Sequence, residues 1–349
     1  PDAAQDVLVD LLTSPNIASK RWVFEQYDTM VRTNTVVGPG PSDAAVVRIK
    51  GTNKGLAVKT DCTGRYVYLN PRRGAQIAVA EAARNVVCAG GKPLAITNCL
   101  NFGNPYKPEV YWTFARAIEG MGDACRALGT PVTGGNVSFY NEHPEGAVYP
   151  TPTIGMLGLV EDVEKHPTTA GFKQAGDAVF LLAPEAWAHR NDIGGSEYLS
   201  HVHGQVTGDA PHLDLDEEVA VQEALLALIR EGLVASAHDV SDGGLAVCLA
   251  ESAIFSGRLG ANVEIATRDD IRLDALLFGE AQSRIVFTAP ADAAGALQAA
   301  LEGRAVQALR LGTVTKGPLR IAVNGRTVVD ADVATLAKRY EEAIPSRMR

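Results

Sequence analysis

Between Ala75 and Ala89 the residues are nearly all small or aliphatic, broken by Glu81, Arg84 and Asn85, and Gly90-Gly91 followed by Lys92-Pro93 supplies a stop. A helix that is apolar around most of its circumference cannot lie on a surface; other layers have to enclose it. The chain is long enough to build them. Its 349 residues, 46% of them hydrophobic, can bury one large core or two ordinary ones, and two domains is the expectation. A charged fraction of 21% excludes a disordered tail, a coiled coil or a collagen-like rod.

Short alternating runs surround that helix. Ala45 to Lys50, Gly55 to Thr60 and Arg65 to Leu69 each read as strands, with a loop from Val36 to Asp43 before them. Pro108 can open a second helix; Val110, Phe114, Ile118, Met121, Cys125 and Leu128 recur at spacings of three or four to give it a packing face, and Gly129 closes it. The apolar strands Leu94 to Thr97 and Pro131 to Thr133 run into Asn98 to Gly103 and into the glycine bend Gly134-Gly135-Asn136-Val137-Ser138. A further strand covers Ile154 to Val160, and past a boundary near His166 the strand Ala178 to Leu182 precedes helices at 217–231, 244–255, 291–302 and 331–342 that alternate with strands. The expected architecture is a lead-in over residues 1–43, a mixed-sheet α+β domain over 44–165 and an α/β domain over 166–349. No solenoid-like period is visible.

Charge and cysteine usage narrow the function. A net charge of -9 argues against a duplex nucleic-acid binder, which needs a basic face, yet leaves room for a local anion site. The five cysteines are scattered with no C-x-x-C pair, so neither a disulfide framework nor a zinc knuckle is encoded, and a reducing cytoplasm fits best. No run is apolar enough to span a membrane, and no basic stretch precedes an apolar one at the N-terminus. The chain starts at Pro1 without Met, which either processing or a cut from something longer would give.

Neither a P-loop nor a strand-linked dinucleotide fingerprint is present, nor a nucleophile elbow, nor an H-E-x-x-H helix. What remains is polarity at strand ends. Asp61, Asn98 and Gly134 to Ser138 each follow an apolar run, so one edge of the first domain can gather oxygen ligands and exposed backbone N–H groups, a combination suited to a magnesium-bound phosphate. Asn136 offers a neutral oxygen to a hard cation and Ser138 a hydroxyl to another ligand group; the same five residues would equally make an ordinary Gly-Gly turn. In the second domain Ser241 or Asp242 can cap the helix that follows, and Glu280, Gln282 and Arg284 share one side of an extended stretch if that stretch is a strand, as a ligand grip or as a solvated face. His201 and His203, with His212 nearby, would share a strand face, but no carboxylate or cysteine at ligand spacing completes a metal site. Nothing marks Cys62 or Cys99 as an activated thiolate.

The runs Lys59 to Pro71, Thr97 to Pro105, Gly134 to Glu142 and Ser236 to Ala246 together resemble the phosphoribosylformylglycinamidine synthase family, in its C-terminal half, with matching motif order from about Ser14 to Ala343-Ile344-Pro345. That family is part of the aminoimidazole ribonucleotide synthetase superfamily. The resemblance implies the fold: one repeat, with an N-terminal mixed-sheet domain that pairs through its sheet and a C-terminal α/β domain. It implies an ATP-dependent ligase reaction in which the formamide oxygen of formylglycinamide ribonucleotide is phosphorylated and ammonia from glutamine displaces the phosphate, with ATP and magnesium as cofactors. It implies partners too: an N-terminal repeat of the same synthetase that shares the active site, and a glutaminase subunit supplying ammonia, with a homodimer possible in isolation and neither nucleic acid nor membrane involved.

By motif position, Asn98 and Gly135 look like nucleotide contacts, Asn136 a magnesium ligand and Ser138 a substrate contact. The family's proton-accepting histidine stands in a K-x-E-S-H-N-H-P type segment of the other repeat; Lys59 to Gly64 holds the corresponding place here and contains no histidine. The chain is therefore expected to carry no catalytic residue of its own and to be inactive alone, while Lys59, Asp61, Glu280, Gln282 and Arg284 line an auxiliary, pseudo-symmetric pocket. Two other readings stay open: a nucleotide-binding structural repeat without turnover, and a complete homodimeric relative such as an aminoimidazole ribonucleotide synthetase.

Overall fold

In the computed structural model, which describes the chain apart from residues 1, 2, 186, 188, 189 and 269, the lead-in carries two helices, α1 (Ala4–Leu11) and α2 (Arg21–Phe24). Leu8, Leu11 and Leu12 are fully buried. They lie in the core of the second sheet, at the far end of the sequence, so the lead-in is packed structure rather than a tether.

The first sheet contains β1 (Thr35–Val37), β2 (Ala45–Arg48), β3 (Gly55–Asp61), β4 (Lys92–Asn101) and β5 (Val132–Ser138). A small hairpin, β6 (Glu142–His143) with β7 (Gly146–Ala147), precedes its last strand, β8 (Thr151–Val160). Strand order is β1-β2-β3-β8-β4-β5. All pairs are antiparallel except β4 with β5, which run parallel around a crossover helix. Three helices belong to this sheet: α3 (Gly64–Leu69), α4 (Pro71–Cys88) and the crossover α5 (Pro108–Leu128).

Helix α4 is the apolar helix of the sequence, and its ends have physical causes. Pro71 sits in its first turn, the Asn70 side chain accepts the Arg73 N–H at 3.1 Å, and Gly90 follows its end in the left-handed conformation. Ala78, Ala82 and Val86 pack with Ala57 and Met156 of the sheet, while Val87 and Cys88 lie in a different core with the second unit's helices. Both units therefore enclose α4. Helix α5 keeps the expected span and its glycine stop, but its tightest face is Ala117, Gly120, Met121 and Ala124, and Ile118 of the expected face is exposed. Small residues win there because the two helices nearly touch: a Cβ on Gly120 would stand 2.0 Å from the Arg72 carbonyl oxygen.

The second sheet has order β10-β12-β9-β13-β11-β14-β15, from β9 (Ala178–Ala183), β10 (Ser236–Asp239), β11 (Gly260–Ile265), β12 (Ile285–Ala289), β13 (Gln307–Thr315), β14 (Leu319–Val323) and β15 (Arg326–Ala331). One face packs with α1, α7 (Gly244–Ser256), α8 (Leu273–Phe278) and α10 (Val333–Arg347); the other packs with α6 (Leu215–Arg230) and α9 (Ala294–Leu301). Helices on both faces explain why β9, β10 and β12 are buried at every position.

Four local expectations are corrected. Arg65–Leu69 is helix α3 rather than a strand: its aromatic and β-branched residues favour extended backbone, but burial of Tyr66 and Val67 against α4 overrides that preference. The glycine bend is itself strand β5. Residues 280–284 are irregular backbone between α8 and β12. His201 stands in a π-helical turn, Tyr198–Val202, that ends at His203, so the two histidines do not share a strand face.

Candidate functional site

Strand register sets the expected nucleotide, metal and substrate residues at adjacent positions of two paired strands, Asn98 with Gly135 on one face and Asn136 with Ser138 on the other. Asn98 is paired with Gly135, Cys99 with Asn136 and Asn101 with Ser138 across β4 and β5. The line continues through β8 to β3, because Asn98 also faces Ile154 and Ile154 faces Asp61. At the usual strand separation, Asp61 lies about 10 Å from Asn98 along the row. Gly135 is dictated by contact. A Cβ there would meet Asn98 Oδ1 at 2.2 Å and the Asn98 carbonyl oxygen at 2.4 Å, so only glycine lets β5 approach the Asn98 side chain this closely.

β5 is an edge strand, and every residue from Val132 to Val137 is exposed, with Ser138 half-buried. One of its sides presents unpaired backbone N–H and C=O groups. Asn136 and Ser138, two residues apart, project from the same face of that strand. Among the described residues no group of three or more His, Cys, Asp or Glu could hold a metal ion. Ser138 is tied to Asn141, a residue that the motif reading passed over; its signal was a polar side chain immediately beyond a strand end.

The auxiliary group is divided. Lys59 Nζ stands 3.8 Å from Asp61 Oδ2. Burial raises the Asp61 carboxyl above its usual range against the opposing charge of Lys59. From Asp61 a polar chain crosses to the second unit: Asn85 Nδ2 lies 3.5 Å from Asp61 and donates to Asp239 at 3.2 Å, and Arg84 donates to Asp239, to both oxygens of Glu218 at 2.8 Å and to Gln282 Oε1 at 2.6 Å. Glu280 lies apart from this chain, accepting the Tyr66 hydroxyl and the N–H groups of Glu197 at 2.8 Å and Gly243 at 2.7 Å. Arg284 donates to the carbonyls of Ala281 and Gly279. Glu280, Gln282 and Arg284 are all buried, with their polar atoms engaged inside the chain.

Sequence reading did not assemble this network, although Glu81, Arg84 and Asn85 inside an apolar helix were its visible trace. Their spacing of three and four sets them on neighbouring turns of one side. Arg84 is fully buried, and burial opposes its charge, but Asp239, Glu218 and Glu81 outweigh that and hold it firmly protonated. Burial raises Asp239 to about 6 and Glu280 to about 8, Asp242 adding its repulsion on Glu280. Glu81 is raised well above the usual carboxyl range by burial and by Asp61 and Asp239. Nearby, His238 bridges Asp43 Oδ1 at 2.6 Å and Glu251 at 3.0 Å; burial disfavours its charge, but Asp43 more than compensates and keeps it protonated well above the ordinary imidazole range. Neither Ser241 nor Asp242 caps α7: Gly243 holds the N-cap position, and Glu280 takes its N–H. The Cys62 thiol is raised by burial, which leaves it unreactive.

Comparison with known proteins adds to this geometry. Residues 41–160 match the model of the AIR synthase related protein, N-terminal domain, and residues 174–324 that of its C-terminal domain. The phosphoribosylformylglycinamidine synthase subunit PurL of Salinibacter ruber is 68% identical over 346 residues, 99% of this chain and 46% of that protein. T. maritima PurL complexed with FGAR superposes with a TM-score of 0.77 at 19% identity, covering 97% of this chain and 54% of the other. T. maritima PurL complexed with ATP gives 0.68 at 22%, covering 86% and 47%. At those identities the structural likeness shows the fold. The chain spans about half the length of the curated relatives it matches. Among the described residues no helix is long and apolar enough to cross a membrane.

Proposed function

We propose, for a chain that belongs to the AIR synthase related family, that it supplies half of the active site of an ATP-dependent carbon–nitrogen ligase. The ligase converts formylglycinamide ribonucleotide, ATP and glutamine-derived ammonia to formylglycinamidine ribonucleotide, ADP and phosphate. The observation that carries this reading is the exposed edge strand β5, with Gly135 pressed on Asn98 and with Asn136 and Ser138 open to whatever covers that edge. Likeness to PurL along nearly the whole chain supports the same assignment.

In this reading Asn98 and Gly135 contact the nucleotide, the bare backbone at Gly135 allowing phosphate oxygens to approach. Ser138 contacts the ribonucleotide. One neutral oxygen from Asn136 fits magnesium that keeps waters and draws its other ligands from phosphates and from the second repeat. Such an ion neutralises charge on the triphosphate. No histidine occupies the Lys59 to Gly64 segment, so the proton acceptor is assigned to the other repeat and this chain to an inactive half. The outer face of the first sheet, where Val58 is exposed and Val47, Leu56, Leu157 and Leu159 are half-buried, is the surface by which the repeats pair. A glutaminase subunit supplies ammonia, and the complex works in the cytoplasm. Of the proposed auxiliary pocket, Lys59 and Asp61 stay partly exposed, Gln282 supports them through Arg84, Asp239 and Asn85, and Glu280 and Arg284 are buried away from them.

The test uses amidine formation from formylglycinamide ribonucleotide, ATP, magnesium and ammonium. The assembled synthetase is expected to turn over, this chain alone is not, and Asn136→Ala or Ser138→Ala in the assembly is expected to cost tenfold or more in kcat/KM. Sustained turnover by the isolated chain, or full activity of both variants, overturns the assignment.

A further inference from the structure

We infer that the cleft between α3, the start of α5 and the β6–β7 hairpin is the dock of the ammonia-supplying glutaminase subunit, which seats an arginine or lysine side chain there; this rests on the reading of the chain as half of a ligase fed by such a subunit. The cleft has a volume of about 800 Å³ and stands at the end of the first sheet where β4 leaves and β8 enters, with Phe102, Gly103, Tyr149 and Pro150 in its wall. Tyr68 and Tyr149 pack edge to face in it, ring centroids 5.1 Å apart at 61°, and are 57% and 46% exposed. In such a pair the ring that offers its edge keeps its own faces clear of its neighbour, and an open aromatic face attracts cations. Tyr106, Tyr111 and Trp112 adjoin the wall residues Lys107, Val110 and Thr113 in sequence, and all three are more than half exposed. Aromatic side chains left open around and beyond one cleft mark a surface for a protein rather than for a small ligand.

Charge selects the anchor. Lys107, a cation of the wall, is engaged by Glu142 at 2.9 Å. Glu109 and Glu145 line the same cleft, and their bonds run through other atoms: the Glu109 carbonyl accepts the Thr113 hydroxyl at 2.8 Å and the Glu145 N–H donates to His143 Nδ1 at 3.3 Å, which leaves both carboxylates unpartnered among the described residues. A guanidinium or ammonium seated there meets two carboxylates and two tyrosine rings, whereas an anion meets repulsion. Position selects the subunit. The Tyr140 N–H donates to the Gly103 carbonyl at 3.0 Å and the Asn141 N–H to the Phe102 carbonyl at 3.1 Å, so the residues just beyond Ser138 are bonded to the wall of the cleft. In neutral water ammonia is mostly ammonium, which has no lone pair with which to attack, and a donor docked beside the site delivers it unprotonated. The other repeat is assigned to the sheet face instead, since Val47, Leu56, Val58, Leu157 and Leu159 of that face do not line the cleft.

The experiment titrates the purified glutaminase subunit into the assembled synthetase and follows amidine formation with glutamine and, separately, with ammonium as nitrogen source. The variants are Tyr149→Ala and the double charge reversal Glu109→Lys with Glu145→Lys; Glu302→Lys, exposed at the end of α9 in the second unit, is the control for a charge change outside the cleft. Each cleft variant is expected to raise the subunit concentration at half-maximal glutamine-dependent rate about tenfold or more, while ammonium-dependent kcat and KM stay at the parent's values. Glu302→Lys is expected to change neither. An unchanged glutamine-dependent titration in both cleft variants overturns the dock. An ammonium-dependent rate that falls together with the glutamine-dependent one also overturns it, because the cleft then belongs to the active site or to the fold. Loss of association between the two repeats in sedimentation overturns it as well and makes the other repeat the occupant. Should Tyr149→Ala not fold, the charge reversal decides alone, since both glutamates are exposed. A parent assembly that is inactive with ammonium overturns the ligase reading and this one with it.

Discussion

Arg84 is the residue on which the joint between the two units turns. Its guanidinium is fully buried on a helix of the first unit, and its hydrogen-bond partners, Asp239, Glu218 and Gln282, belong to the second, with Glu81 of its own helix 3.7 Å away. Such a group is costly to desolvate and is stable only because each donor is matched. Replacing it with Met leaves Glu218 and Asp239 buried without their cation. Arg84→Met is expected to lose about 3–5 kcal/mol of stability, read as a lowered urea midpoint at unchanged m-value. Adding Glu218→Gln, which removes one of the orphaned charges, is expected to restore part of that loss. A single variant as stable as the parent would mean that water or a neighbouring side chain satisfies the network without the arginine.

At the scale of elements, α4 and α5 show what can and cannot be read from spacing. Both helices and their glycine stops were legible, as was the Pro108 start of α5, because proline and glycine act locally, whereas α4 begins at Pro71, ahead of the expected Ala75. The face of α5 was only partly legible: spacing favours the large residues Phe114 and Ile118, whereas the real contact with α4 selects Ala117, Gly120 and Ala124 by how near the backbones come. Arg65–Leu69 misled for the converse reason, since a strand-like composition is folded into α3 by burial that no local pattern encodes. For the proposed site, Asn98, Gly135, Asn136 and Ser138 stand in short motifs legible in the sequence, and their roles are those of the proposal. The site's assembly depended on the register of β4 with β5, and the Asn141 tie depends on a loop closing back on Phe102. Gly120 allows a direct check of the packing argument. Gly120→Val places a branched side chain where even a Cβ lies 2.0 Å from the Arg72 carbonyl, so it is expected to cost about 1–3 kcal/mol or more by forcing the helices apart. Gly129→Ala, at the left-handed helix stop where nothing stands within 4 Å, reports backbone strain alone and is expected to cost less. Equal losses at the two positions would contradict the close-packing account.

On the scale of the whole molecule, the buried acids make folding respond to pH in the opposite sense from a protein of surface ion pairs. Asp239 and Asp242 are raised to about 6 and Glu280 to about 8, burial being the leading cause in each, and His238 is held protonated by Asp43 and Glu251 against its own burial. An unfolded chain releases its carboxyl protons near pH 4 and its histidine protons near 6.5. Between about pH 5 and 8 the folded chain therefore binds more protons than the unfolded one, and linkage requires stability to fall as pH rises through that window. Asp43 works the other way, since His238 outweighs burial and lowers its carboxyl, but its contribution is lost only in acid, below the window. The expected result is a melting temperature several degrees lower at pH 8.5 than at pH 6, the loss being on the order of 2 kcal/mol. Glu280 is buried beside Asp242 and titrates highest of the three acids, so Glu280→Gln, which can still accept the Gly243 and Glu197 N–H groups, is expected to flatten the upper half of the profile. A melting temperature that rises from pH 6 to pH 8.5, or a Glu280→Gln profile parallel to the parent's, would show that these carboxyls are ionised in the folded chain and that the cross-unit network is charged throughout.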